Sequence, residues 1–124
     1  MLEKVQKPRD AAPGFDAIPD VIEAFRRGEI VIITDDEKRE NEGDLVVAAE
    51  KITPETINFM SKHGRGLICV ALDRKYIDHL GLARMITHGE GSRFKTAFME
   101  SVDARQGVST GISAFDRART VQTR

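Results

Sequence analysis

Two apolar runs flank the most constraining stretch of this sequence. EIVIIT (29–34) and LVVAA (45–49) bracket DDEKRENEGDL (35–45), in which six of eleven residues are acidic and only Lys38 and Arg39 oppose them. A β-branched run before the stretch and an apolar run after it read as two strands. A connection of about ten residues is long for a hairpin, and long connections in compact domains tend to be functional or disordered. EIVIIT is apolar throughout, as in a strand covered on both faces.

The rest of the chain supplies the cover. Ile18, Val21, Ile22 and Phe25 recur at helical spacing, with Pro19 in the first turn and Gly28 at the end. Thr53 and Pro54 open a second helix, with Ile57, Phe59 and Met60 on its apolar side and Gly64 as its left-handed stop. LICVAL (67–72) reads as another buried strand. Asp73 caps a helix bearing Tyr76, Ile77 and Leu80 and closed by Gly81. The pattern fails over 83–95, which reads as a mobile loop. TAFMESVDA (96–104) alternates imperfectly, with Glu100 on its apolar face. VSTGIS follows, and Ser113 caps a last helix carrying Ala114, Phe115, Ala118 and Val121. That helix has no stop signal.

This order implies an α+β fold, a mixed β-sheet of four strands covered by short helices. Residues 1–15 read as a flexible N-terminal arm and 16–124 as one domain. At 124 residues such a chain buries roughly two thirds of its unfolded surface, provided that it contains every element its sheet needs.

Charge and composition narrow the function. The formal net charge of −1 makes no case for nucleic acid or an anionic membrane. No apolar run approaches the ~20 residues of a membrane span. Without a signal-like start, the expected compartment is the cytoplasm. A single cysteine, Cys69, excludes an internal disulfide and a cysteine-based zinc site. From Asp35 to Glu50 there are seven acidic and two basic residues, whereas Ala104 to Arg124 holds four arginines and one aspartate. Such segments could face one polyanionic, metal-chelating ligand or be two solvated faces.

Glu40, Glu42 and Asp44 stand at alternate positions, which an extended backbone directs to one side. Carboxylates suit Mg²⁺, which takes one or two of them and leaves room for water and substrate oxygens. Composition alone leaves a solvated turn and a metal site both open. An EF-hand is excluded, since Gly43 at the loop's glycine would put Lys38 at the first ligand position. Cys69 reads as a small buried hydrophobe. His63 and His79 adjoin helix-ending glycines, where imidazole meets the dipole, whereas His88 is freest to reach a ligand. Ser109, Thr110 and Ser113 at a helix start offer either a phosphate seat or an ordinary cap.

TDDEKRENEGDLVVAAEKITPETINFMSKHGRGLICVAL (34–72) and TAFMESVDARQGVSTGISAFDRART (96–120) closely resemble the 3,4-dihydroxy-2-butanone 4-phosphate synthase family of riboflavin biosynthesis. The resemblance covers nearly the whole chain from Phe15 onward. It implies a lyase that converts D-ribulose 5-phosphate to L-3,4-dihydroxy-2-butanone 4-phosphate and formate with Mg²⁺ or Mn²⁺, as a homodimer with active sites near the subunit interface. By position, Glu40 is then a metal ligand that also meets substrate. Arg39 and Asp44 contact substrate, Glu42 joins the acid/base set, Cys69 lines the catalytic pocket, and Thr110 approaches the phosphate. The family pattern continues with an Arg-x-Gly-His-Thr stretch and a further carboxylate, neither of which lies in residues 1–124. The chain is therefore expected to be the N-terminal portion of a three-layer synthase domain and inactive in isolation. A non-catalytic dimerisation or partner-binding module that keeps the fold is the main alternative, and a bare acidic metal-binding domain a third.

Overall fold

Capping and turn residues set the first element. Pro19 sits in the first turn of α1 (Ile18–Arg27), Asp20 faces its N-terminal dipole, and Arg26 and Arg27 lie at the C-terminal end. Gly28 then takes φ 82°, and its N–H closes the helix onto Ala24 and Phe25 carbonyls. This computed structural model describes residues 13–85 and 97–123.

The expected hairpin follows. Strands β1 (Val31–Thr34) and β2 (Gly43–Val46) pair antiparallel in the register Val31 to Val46, Ile32 to Leu45, Ile33 to Asp44 and Thr34 to Gly43. Both are shorter than the apolar runs that announced them. β2 starts inside the acidic stretch, and a short 3₁₀ turn at Ala49–Lys51 replaces the end of LVVAA. β1 is not covered on both faces, since Ile32 is 68% and Ile33 53% exposed. Val21, Ile22 and Phe25 of α1 line an open apolar groove with Val31, Ile33 and Val46.

Thr53 caps α2 (Pro54–Phe59) by accepting the Thr56 N–H at 3.1 Å. The helix widens into a π turn at Met60–Gly64, and the left-handed stop falls on Arg65 (φ 57°) instead of Gly64. Gly64 serves packing: a Cβ there would lie 3.1 Å from Leu45 Cδ1 on β2. α3 (Arg74–Leu80) has the expected Asp73 cap and a left-handed Gly81. α4 (Ala114–Gln122) starts at Ser113, whose hydroxyl accepts the Asp116 N–H at 3.0 Å.

The core is small. Ile52, Ile57 and Ala118 are buried where α2 meets α4, with Val47, Ile68, Ala114 and Val121 packed around them. Full burial of Ile57 contributes about 1.5–3 kcal/mol. Two long-range bonds tie the helices down: Gln122 Nε2 donates to the Ile52 carbonyl at 2.9 Å, and Arg117 Nη2 donates to Ser61 Oγ at 3.0 Å.

Helices plus a small antiparallel sheet make the α+β class. The sheet is narrower than the four strands read from the sequence. LICVAL is not a strand and is not buried: Leu67 is 79% exposed, Val70 is exposed, and Ile68 alone of the segment packs against the core. TAFMESVDA contributes one antiparallel bridge, Arg84 to Met99, held by Met85 N–H to Phe98 O and Glu100 N–H to Ala83 O, both 2.9 Å. Glu100 itself is exposed, so its carboxylate is solvated despite its place in the alternation. A ladder needs a partner for every second backbone group on each edge. Among the described residues LICVAL meets none, and TAFMESVDA only the single bridge to Arg84. The N-terminal arm through residue 12, most of the 83–95 loop and His88 lie outside the described residues.

Candidate active-site loop and the Ser-Thr-Gly turn

The acidic loop, residues 35–42, is organised around one of its own carboxylates. Asp35 Oδ1 accepts the Glu42 N–H at 2.9 Å. Its Oδ2 accepts the Glu40 N–H at 2.9 Å and Arg39 Nη1 at 3.0 Å. These bonds stabilise the ionised form, the Glu42 and Glu40 amides first and the Arg39 guanidinium after them, and hold the Asp35 carboxyl below its usual range. Asp36 builds the turn below, its Oδ1 accepting the Lys38 N–H at 2.8 Å and its carbonyl the Arg39 N–H at 2.8 Å. Asn41 adopts φ 52°, a conformation that asparagine tolerates better than most side chains.

That left-handed residue corrects the alternation argument. Glu42 leads into β2 and Asp44 lies within it, but Glu40 belongs to the turn before Asn41, so the three carboxylates do not share one side of a continuous strand. Glu40 instead pairs with Arg39, its Oε2 lying 3.5 Å from Nη1. Among the described residues, no three of His, Cys, Asp and Glu are grouped so as to hold a metal ion. Glu40 is nonetheless a hard oxygen donor on an accessible turn, which suits a Mg²⁺ site that draws one ligand from here.

The other candidates lie elsewhere. Cys69 is exposed, which overturns its reading as a buried hydrophobe. The ring of His63 sits 4.6 Å from that of Phe59, and His79 lies in the last turn of α3. Thr110 is exposed at the apex of a turn whose neighbours are fully engaged. Ser109 donates its N–H at 3.1 Å and its hydroxyl at 2.8 Å to Asp116 Oδ2, and Gly111 donates its N–H to the same oxygen at 3.0 Å. With Ser113 acting as the helix cap, two of the backbone donors expected to seat a phosphate already hold the protein's own anion.

Those bonds, led by the Ser109 hydroxyl, hold the Asp116 carboxyl below its usual range against the opposing effect of burial. Gly111 takes φ 82°, which favours glycine, and a Cβ there would displace the exposed Asp103 carboxylate. Sequence reasoning missed both organising aspartates. The spacing of Ser113 and Asp116 resembles a capping box and was the available signal for one of them.

Comparison with known proteins shows what the chain is similar to. Residues 19–124 match the family model of 3,4-dihydroxy-2-butanone 4-phosphate synthase. The chain is 53% identical over 108 residues to the protein of that name from Pseudomonas syringae pv. tomato, covering 87% of this chain and 29% of the relative. It is 52% identical over 105 residues to the one from Agrobacterium fabrum, covering 85% of this chain and 49% of the relative. A solved structure of a 3,4-dihydroxy-2-butanone 4-phosphate synthase in complex with two magnesium ions superposes with a TM-score of 0.82 at 49% identity, over 87% of this chain and 50% of that one. The chain thus spans about half or less of the length of the relatives it matches.

Proposed function

The chain belongs to the 3,4-dihydroxy-2-butanone 4-phosphate synthase family, and on that premise we propose that it supplies the substrate loop of a riboflavin-pathway lyase. The reaction is conversion of D-ribulose 5-phosphate to L-3,4-dihydroxy-2-butanone 4-phosphate and formate. The observation that carries this reading is the Asp35 carboxylate, which binds the backbone of Glu40 and Glu42 and the side chain of Arg39 at once. It pre-organises the loop, so less ordering remains to be done when substrate arrives.

Glu40 contributes a metal ligand and meets substrate. Mg²⁺, or Mn²⁺ in its place, would polarise the ketone and neighbouring hydroxyls of the sugar phosphate when bound. Arg39 and Asp44 orient the substrate. Glu42 moves the proton taken from a carbon beside the ketone. Cys69 lines the pocket and Thr110 meets the phosphate. Residues 16–124 form one portion of a single synthase domain, preceded by an arm over 1–15. The working form is a cytoplasmic homodimer with no nucleic-acid or membrane partner; the open apolar groove between α1 and the sheet supports the subunit contact alone.

Formate release from ribulose 5-phosphate in the presence of Mg²⁺ tests the reading, in a synthase of the relatives' length that carries this chain. Glu40→Ala is expected to abolish release. Unchanged activity would defeat the ligand assignment. Residues 1–124 alone are expected to release negligible formate, and robust release would show that this portion is sufficient.

A further inference from the structure

Asp116 is a buried carboxylate that the proposed chemistry does not use. It lies in the first turn of α4, where its charge faces the N-terminal dipole, and its backbone N–H is held by the Ser113 cap. Its Oδ2 reaches out of the helix and takes three donors, the Ser109 N–H, the Ser109 hydroxyl and the Gly111 N–H. These donors come from the residues on either side of Thr110. The turn therefore closes on one oxygen, and Thr110 is left exposed at its apex.

Two further features lie beside this arrangement. The Asp103 carboxylate stands against Gly111, where a side chain would collide with it. The adjoining Ala104 N–H donates to Thr120 Oγ1 at 3.0 Å, and that hydroxyl in turn donates to the Asp116 carbonyl at 3.0 Å. The turn is thus anchored to α4 through the side chain of Asp116, and the segment before it is tied to the same helix by the Ala104–Thr120 bond.

We infer that Asp116 is the positioning residue for Thr110, fixing the hydroxyl that meets the phosphate of the sugar phosphate while the flanking N–H groups stay committed to the protein. The inference rests on the proposed Thr110 contact and deepens it. A phosphate approaching the turn meets the Thr110 hydroxyl, because the amides of Ser109 and Gly111 already donate to the Asp116 carboxylate. Charge-assisted bonds of this kind are about twice as strong as neutral ones, which suits a residue that must hold its neighbours through turnover.

The test measures KM and kcat for ribulose 5-phosphate in the synthase of the relatives' length carrying Asp116→Asn, Thr110→Ala, or both. Asp116→Asn is expected to raise KM about tenfold with a much smaller change in kcat, the size expected when charge-assisted bonds to a positioned group are lost. The double variant should then be no worse than Thr110→Ala, because both changes remove one interaction. Ser109→Ala keeps the carboxylate and two of its three bonds, so it should fold where Asp116→Asn does not, with a smaller rise in KM. If Thr110→Ala leaves KM unchanged, the phosphate contact itself is wrong. If Thr110→Ala raises KM but the Asp116 and Thr110 effects multiply, or Ser109→Ala has no effect on KM, only the positioning role is wrong. A fall in KM for Asp116→Asn would mean that phosphate uses the released amides, and would also overturn the inference.

Discussion

The ionised side chain of Asp116 ties its stability contribution to pH. Its pKa in the folded chain lies below the unfolded value of about 3.9. A depressed carboxylate contributes stability that is fully present above the unfolded pKa and is lost as pH falls through the folded one. Asp116→Asn should therefore destabilise the chain at pH 7, and the gap from wild type should shrink below about pH 4. Urea melts at pH 7 and pH 3 check this, and an equal gap at both would mean that the carboxylate's charge is irrelevant. Gly111 yields a second expectation. A side chain at its left-handed φ is strained and must also displace the exposed Asp103 carboxylate, so Gly111→Ala should cost about 1–3 kcal/mol in the same measurement. Roles at this scale were only partly legible. Gly28 and Gly81 announced themselves by their place after helical runs. The left-handed Asn41 and Arg65 did not, because each answers to a turn whose course depends on bonds to residues several positions away.

Helices were readable as elements because their signals are local. Thr53, Asp73 and Ser113 each cap the helix they precede, through bonds to the residue three positions on. Ser113→Ala should cost about 1 kcal/mol, seen as a lowered urea midpoint. Ile57→Ala, which empties the fully buried centre of the α2–α4 contact, should cost about 2–5 kcal/mol. If the Ser113 change proves the larger, the contact between α2 and α4 contributes less than its burial implies. Strands were less readable, since an apolar β-branched run shows that a segment can pair and not that a partner is there. EIVIIT found one across the loop. LICVAL, with a pattern just as apolar, found none among the described residues and stays outside any strand and mostly exposed.

Taken whole, the described residues leave much apolar surface open. Fifteen large hydrophobic side chains among them are exposed, whereas Ile52, Ile57, Ala104 and Ala118 are the buried hydrophobics. The apolar groove beside α1 and the exposed Leu67, Ile112 and Phe115 are part of that surface. Residues 1–124 alone should accordingly bind a hydrophobic dye strongly and associate beyond a dimer, whereas a synthase of the relatives' length should bind little dye and sediment as the proposed dimer. Dye fluorescence and sedimentation of the two forms decide it, and weak binding by the shorter form would mean that the exposed face is not sticky. By itself the sequence determined the family, the helices and the acidic loop, because motif identity and capping are written in neighbouring residues. Tertiary structure alone decided that Asp35 and Asp116 organise the two loops, that Glu40 leaves the line of Glu42 and Asp44, and that the sheet has two strands among the described residues. Those outcomes depend on where backbone donors find acceptors across space, which residue order does not record.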